Sequence, residues 1–213
     1  MPSWNIHLEA GHRLVKKLHF SGAKQKEFLL GCLLPDINNG YINRVKVEKP
    51  HENTHYAYDQ KSSLNFYAKY KKEVNAKDPI CLGYLFHLYT DGYFNYDFYR
   101  HIKHSPLGAN LSREEKRKIK HHDFWLYDLN FHHRLNIQNT HDAKNLAESA
   151  NKISAIEITP EDIIDVERIL IENNLGQSIK NHHYIFYTKK RLDHLLDEMI
   201  MSFSKDYLGE KDA

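Results

Sequence analysis

Cysteine, glycine and proline are all scarce in this sequence. Only two of the 213 residues are cysteines, Cys32 and Cys81, and both stand in apolar segments. Two isolated cysteines exclude a disulfide framework and a cysteine-ligated zinc site, and we expect both to be buried packing residues. With only 9 glycines and 6 prolines, the chain has few residues that end helices, which favours long helical segments.

A strong charge of one sign and a long apolar run are also missing. Lys and Arg together number 30 and Asp and Glu 28, so the formal net charge is only +2, and no specific nucleic-acid partner is expected. No run reaches the roughly 18 apolar residues of a membrane span. The first residues, MPSWNIHLEAGHRL, lack the basic and then apolar pattern of a secretory signal. We therefore expect a cytoplasmic protein without a membrane span, and its oligomeric state stays open.

Apolar residues recur at helical spacing along most of the chain, which predicts an all-α fold in one domain over residues 1–213. Ser112 followed by Glu115 has the spacing of a capping box and predicts a helix start. Residues 36–58 are predicted to form a long excursion, and Ile153 to Ile158 a short extended piece. The predicted helices are 5–19, 22–34, 60–75, one beginning at Pro79, 112–135, 160–174 and 187–207.

Histidine, in contrast, is abundant, with 16 residues. His87 and Asp91 are one helical turn apart, so both project from the apolar side of the helix that begins at Pro79. An ionised Asp on a buried stripe is costly unless it is paired or bound to a metal. Imidazole and carboxylate suit Zn²⁺ and related ions, although a simple hydrogen bond between the two residues is the alternative explanation.

Three further residues extend this pair to a set of nitrogen and oxygen ligands. His7 lies on the apolar stripe of the first helix, and His55 stands between aromatic residues in NTHYAY. Asp36 ends the apolar run FLLGCLLPD, where a helix terminates. Each has a simpler explanation: Asp36 could begin an Asx-turn with Asn38 and Asn39, and the histidines could be packing or surface residues.

The order of these residues resembles the zinc-dependent phospholipase C family, whose fold is shared by the S1/P1-type nucleases. The resemblance covers about residues 4–95. WNIHLEAGHRL is similar to the family's opening helix, FLLGCLLPDI to the segment with the next metal-binding Asp, NTHY to a Ser/Thr-His-aromatic segment and LGYLFHLYTD to the central metal-binding helix.

This resemblance implies a helical bundle that holds two or three zinc ions, with Mn or Fe as other possible metals. Asp91 would bridge two ions, Asp36, His55 and His87 would complete one site, and His7 would help to hold the other. The implied activity is hydrolysis of a phosphoester, specifically a phosphodiester bond, in a small-molecule or lipid substrate. The metals would activate water, and Asp36 would assist as the general base.

The chain departs from the family at the third metal site, which needs a further His and a His-xxx-Glu pair soon after the central helix. The only such pair in the sequence is His194 with Glu198, on the last predicted helix, and we expect it to face solvent. The remaining candidates to complete a reduced site are His101, His122 and Asp123.

Two alternative functions remain open. His122 and Asp123 form an HD dipeptide, which is found in another class of phosphohydrolase. A non-catalytic, metal-stabilised helical binding module is the second alternative, because a family resemblance indicates fold better than function. The basic run REEKRKIKHH contains interleaved acids, and we expect it to be a solvated helix face.

Overall fold

The computed structural model describes residues 3–37, 49–57, 61–173 and 182–209. These ranges contain eleven helices and no strand, which confirms the all-α prediction for this part of the chain. The helices are α1 (Trp4–Leu18), α2 (Gly22–Gly31), α3 (Leu34–Asp36), α4 (His51–His55), α5 (Ser62–Lys69), α6 (Lys71–Asn75), α7 (Pro79–Lys103), α8 (Arg113–Asp128), α9 (Thr140–Ala150), α10 (Pro160–Asn173) and α11 (Lys189–Leu208).

Several predicted boundaries differ from the structure. The helix predicted over 60–75 divides into α5 and α6 at Tyr70, and the helix predicted over 112–135 ends at Asp128. The capping box of Ser112 and Glu115 is confirmed. Residues 153–158 form turns and irregular backbone instead of an extended strand.

Two helices form where none was predicted. α9 begins after Asn139, whose side chain accepts the backbone N–H of Asp142. α4 lies inside the predicted excursion over 36–58, of which 38–48 and 58 are outside the described residues.

Helix α7 is the centre of the fold. It contacts α1, α2, α3, α5, α6, α8 and α11, and most of its first four turns are buried. Pro79 stands in its first turn, and the Asp78 side chain accepts the backbone N–H of Cys81 there, which satisfies one of the free donors of the helix start. Among the described residues, nearly all buried apolar side chains belong to one core cluster, which includes many residues of α7. Within the described residues, no helix is both long and apolar enough to cross a membrane.

The start of α1 is fixed by a residue at the far end of α8. Ser3 makes no capping bond within its own helix; its hydroxyl donates instead to the Asp128 carboxylate. The Asn5 side chain also donates to Asp128, at 3.3 Å. A carboxylate at a helix N-terminus is favourable, so this contact anchors α1 and places His7 one turn further along.

Helices α2 and α7 cross at two glycines. A Cβ atom on Gly83 would lie 2.1 Å from the carbonyl oxygen of Phe28 and 3.0 Å from the Cα of Gly31. Only residues without side chains allow the two backbones to approach this closely. The crossing brings the end of α2 against the turn of α7 that carries His87.

Replacing Gly83 with alanine should therefore destabilise the protein by about 3 kcal/mol, at the upper end of what overpacking usually costs. Gly92 on the same helix is the matched control, because a Cβ there would meet nothing within 4 Å. Gly92→Ala should be neutral or stabilising by up to about 1 kcal/mol. Equal midpoints for the two variants in chemical denaturation would show that the crossing is not tight.

Candidate metal centre

The five residues predicted as the main metal ligands converge in the structure. They come from four helices that are separate in sequence: His7 from α1, Asp36 from the end of α3, His55 from the end of α4, and His87 with Asp91 from α7. All five are buried, and His87 is completely inaccessible. We call them the five-residue cluster.

The two oxygens of Asp91 face different histidines. Oδ1 lies 3.3 Å from His7 Nε2, whereas Oδ2 lies 3.6 Å from the Nε2 atoms of both His55 and His87. Oδ1 of Asp36 is 3.5 Å from His55 Nε2 and 4.0 Å from His87 Nε2. One position is therefore surrounded by Asp36, His55, His87 and one oxygen of Asp91, and a second lies between the other oxygen and His7.

Four of these five distances, 3.3–3.6 Å, fit a shared cation better than direct hydrogen bonds, and the fifth is 4.0 Å. Hydrogen bonds of this type are usually about 2.7–3.2 Å long. Tetrahedral zinc, with bonds of about 2.0–2.2 Å, separates its ligand atoms by about 3.3–3.6 Å. Two overlapping groups, His7 with Asp36 and His87, and His55 with His87 and Asp91, bring ligand atoms within 4.8 Å of one another.

Buried polar atoms without hydrogen bonds give independent support for a cation site. Both ring nitrogens of His7, Nε2 of His87, Oδ1 of Asp36 and both oxygens of Asp91 have no hydrogen-bond partner among the described residues. An unsatisfied buried polar atom costs about 1–3 kcal/mol, and more if it is charged. Bound cations would engage one nitrogen of each ring together with the carboxylate oxygens, so the donor set fits a transition-metal ion.

Contacts behind the cluster orient two of its rings. Nδ1 of His87 donates to the carbonyl oxygen of Cys32 at 2.7 Å. Because a carbonyl can only accept, Nδ1 carries a proton, and Nε2 is the ring nitrogen that faces the cluster. This is the usual support for a metal-binding histidine.

The second ring is held by Thr54. Its Oγ1 lies 3.1 Å from Nδ1 of His55 and donates to the carbonyl of His51. The carbonyl of Thr54 accepts the buried hydroxyl of Tyr84. Helix α7 therefore positions His55 as well as its own two ligands.

The electrostatics of the cluster centre on its two carboxylates. Burial raises the pKa of Asp91, but the imidazoles of His87, His55 and His7 outweigh burial and hold it well below its usual range. Burial likewise raises the pKa of Asp36, and His87 and His55 lower it by more. Burial and the nearby His87 lower the pKa of His7, which favours its neutral form.

In the metal-free protein, the protonated ring of His55 supplies positive charge beside the two carboxylates, in the place that a metal ion would take. Burial lowers its pKa, but the carboxylates of Asp36 and Asp91 raise it overall, to about 9. The metal-free protein is therefore expected to carry protonated His55 beside two ionised carboxylates at neutral pH.

Zinc binding should consequently release about one proton, because a ligating imidazole must be neutral. The zinc affinity should rise about tenfold per pH unit while His55 is protonated and should level off above its pKa of about 9. Calorimetric titration in buffers with different ionisation enthalpies measures this proton directly. A zinc affinity that stays constant between about pH 7 and pH 9 would show that no such proton is displaced.

The weaker candidates have other contacts. The carboxylate of Asp123 is completely buried and accepts the backbone N–H groups of residues 185, 186 and 187 at 2.7–2.9 Å. His122 Nε2 lies 3.0 Å from the carbonyl oxygen of His183, and His101 contacts Asp97 on its own helix. The potential metal-binding groups among the described residues include none of these three.

The predicted solvent-facing pair is confirmed. His194 Nε2 lies 3.3 Å from Glu198 Oε1, and the His194 side chain is 64% exposed. A pair in this position cannot complete a buried metal site.

Sequence reasoning missed the residues that support the cluster. The Cys32 carbonyl, Thr54 and Tyr84 give no recognisable motif, because a backbone acceptor or a buried hydroxyl can come from almost any segment. His51 does have a sequence signal: it precedes His55 by four residues in HENTH, and the two rings stack with their centroids 3.8 Å apart.

The cluster opens into a cleft of about 740 Å³. His55 and Asp91 line its inner end, and the side chains further out include Tyr96, Tyr99 and several cations. Within the described ranges, Asp91 is the only carboxylate that lines the cleft. The lining cations are Arg100, Lys103, Arg113 and Lys120.

Lys120 is a buried cation in this wall. Its ammonium donates to Asn95 Oδ1 at 2.7 Å and lies 5.1 Å from the ring centre of Tyr99. Burial lowers the pKa of Lys120, and the negative charge of Asp91 opposes that effect. The cleft therefore combines buried metal-ligand chemistry with an anion-attracting wall.

Comparison with models of known protein families, with characterised proteins and with solved structures found no match to this chain.

Proposed function

We propose that this protein is a metal-dependent phosphoester hydrolase that uses zinc held by the five-residue cluster. The observation that carries the proposal is the convergence of His7, Asp36, His55, His87 and Asp91 at the inner end of a basic cleft. Polar atoms of four of them, His7, Asp36, His87 and Asp91, have no hydrogen-bond partner among the described residues. The sequence resemblance to the zinc-dependent phospholipase C family points to the same chemistry.

The proposed ligand assignment follows the contacts. Asp36, His55, His87 and Oδ2 of Asp91 would hold one ion, and Oδ1 of Asp91 with His7 would contribute to a second. Bound zinc supplies a water of lowered pKa and neutralises charge on phosphate oxygens. Mixed nitrogen and oxygen ligands also suit manganese or iron.

Three further roles in the proposed reaction would fall to the protein's own side chains. Asp36 lies beside the ligand nitrogens and would accept a proton from the attacking water. Lys120, held in place by Asn95 and Tyr99, would present a positive charge toward a bound phosphate. His51, stacked on His55 at the cleft, would restrict access of bulk water to the ligands.

A non-catalytic metal-stabilised module is the second candidate. The observation in its favour is the absence, from the described residues, of a third group that completes the family's metal set. The HD-type alternative is weaker, because the carboxylate of Asp123 is already used by three backbone N–H groups and His122 points to a backbone carbonyl.

The test is turnover of a chromogenic phosphodiester, such as bis(4-nitrophenyl) phosphate, by the zinc-loaded full chain. Hydrolysis that needs zinc and disappears in His87→Ala would support the proposal. His122→Ala is the matched control, and it should keep both bound zinc and turnover. Zinc-loaded protein that hydrolyses neither phosphodiesters nor phosphomonoesters would instead favour the non-catalytic module.

A further inference from the structure

The outer part of the cleft continues into a smaller pocket of about 370 Å³. Tyr99, Lys103 and Arg113 line both cavities, and Lys116 lines the outer one. Arg113, Lys116 and Lys120 are three and four residues apart on α8, so they share one face of that helix. Together with Lys103 from the end of α7, they form a row of cations that leads away from the metal centre.

The charge of this row is not neutralised by neighbouring acids. Lys103, Arg113 and Lys116 form no ion pair with a carboxylate of the described residues. The two acids in the first turn of α8 are engaged elsewhere: Glu114 pairs with Lys118 at 3.2 Å, and Glu115 accepts the N–H of Ser112. An anion that enters the outer pocket would meet uncompensated positive charge.

The row of cations lies several helical turns away from the metal centre along α7. Lys103 follows Asp91 by 12 residues, a little over three helical turns, which corresponds to about 18 Å along the axis of α7. Its side chain leans toward the start of the helix and shortens that distance. A ligand that reaches both places needs an organic spacer, for which the ring of Tyr99 provides a wall.

We infer that the substrate is a small molecule with two phosphate groups: one at the metal centre and a second bound by Lys103, Arg113 and Lys116. This inference rests on the proposed function for the first phosphate. A dianion suits three converging cations without carboxylates, whereas a cationic tail would be repelled by them.

The test compares two ligands that differ only in the second phosphate. Calorimetric titration of the zinc-loaded full chain with octane-1,8-diyl bisphosphate, whose extended chain is a spacer of suitable length, and with octyl phosphate gives the ratio of their dissociation constants. The bisphosphate should bind about tenfold more tightly, as expected for two partly exposed charge-assisted contacts. The preference should fall to about twofold or less in the Lys103→Ala/Arg113→Ala variant.

The matched control is Arg117→Ala/Arg134→Ala, which removes the same charge from exposed residues that line neither cavity and leaves the pair of Glu114 with Lys118 intact. It should keep the preference of the wild type. Equal affinity of the wild-type protein for both ligands, or an unchanged preference in Lys103→Ala/Arg113→Ala, would overturn the inference.

A hydrolysis assay distinguishes failure of the second phosphate site from failure of the proposed hydrolase function. The substrates are octyl 4-nitrophenyl phosphate with and without a second phosphate on C8 of the octyl chain. Turnover of both at equal KM would leave the hydrolase proposal intact and refute the second phosphate site. Tighter binding of the bisphosphate with no turnover of either ester would support the anion site and count against a hydrolase.

Discussion

Replacing Asp91 with asparagine should lower the zinc affinity by more than about 100-fold, because loss of an outer-shell partner alone already costs about 10–100-fold. Asparagine keeps the shape of the side chain but loses its charge and one of its two acceptor oxygens. Those two oxygens face different histidines, Oδ1 toward His7 and Oδ2 toward His55 and His87. The change should therefore weaken both proposed ion positions and abolish zinc-dependent turnover.

Asp123→Asn is the matched control for this variant. Asp123 is also a buried aspartate, but its carboxylate binds backbone N–H groups of residues 185–187. Asp123→Asn should lower the stability and keep the metal content of the wild type, which separates metal ligation from folding. Wild-type metal content in Asp91→Asn would refute the assignment of Asp91.

Zinc should also stabilise the fold strongly. At a free concentration of about 1,000 times its dissociation constant, a ligand that binds only the native state adds about 4 kcal/mol to the free energy of unfolding. For a chain of this size, that corresponds to a rise in Tm of about 10 °C. The physical reason is that His7, Asp36, His87 and Asp91 bury polar atoms that make no hydrogen bond with the described residues.

Thermal unfolding of chelator-treated protein, with and without added zinc, measures this rise. His87→Ala should lose most of it, whereas His122→Ala should retain it. Magnesium should have a much smaller effect at the same concentration, because it prefers oxygen ligands and keeps much of its hydration shell. No change in the Tm of the wild-type protein would contradict a buried zinc site.

Much of the candidate site could be predicted from sequence because its ligands follow local rules. The four-residue spacing of His87 and Asp91 places both on one side of a helix, and the apolar neighbours show that this side is buried. Asp36 follows a long apolar run, and the structure places it at the end of α3, in the core. Such patterns predict burial and direction for each ligand separately.

The relative placement of the ligands depends on contacts that no local pattern reveals. The crossing of α2 over α7 requires glycine at positions 31 and 83, but in the sequence these residues look like ordinary interruptions of a helix. The carbonyl of Cys32 becomes a partner of His87 only through that crossing. The support of His55 by Tyr84 through the Thr54 carbonyl likewise joins segments about thirty residues apart in sequence.

The run REEKRKIKHH is a second case in which the local sequence pattern does not reveal the contacts of its residues. Its interleaved charges predict a solvated face, and Arg117 and Lys118 are indeed exposed. Arg113 and Lys120, however, turn toward the cleft because α8 packs against α7. The side of a charged helix that faces a site is decided by its neighbour, and charge patterning alone does not identify that neighbour.

Elemental analysis of the full chain, purified without chelator and freed of loosely bound ions, tests the metal centre most directly. We predict at least one equivalent of zinc or a related transition metal per chain, and two if each oxygen of Asp91 engages its own ion. Protein that remains free of transition metal, even after equilibration with excess zinc and removal of the unbound ion, would contradict the metal centre on which every functional proposal depends.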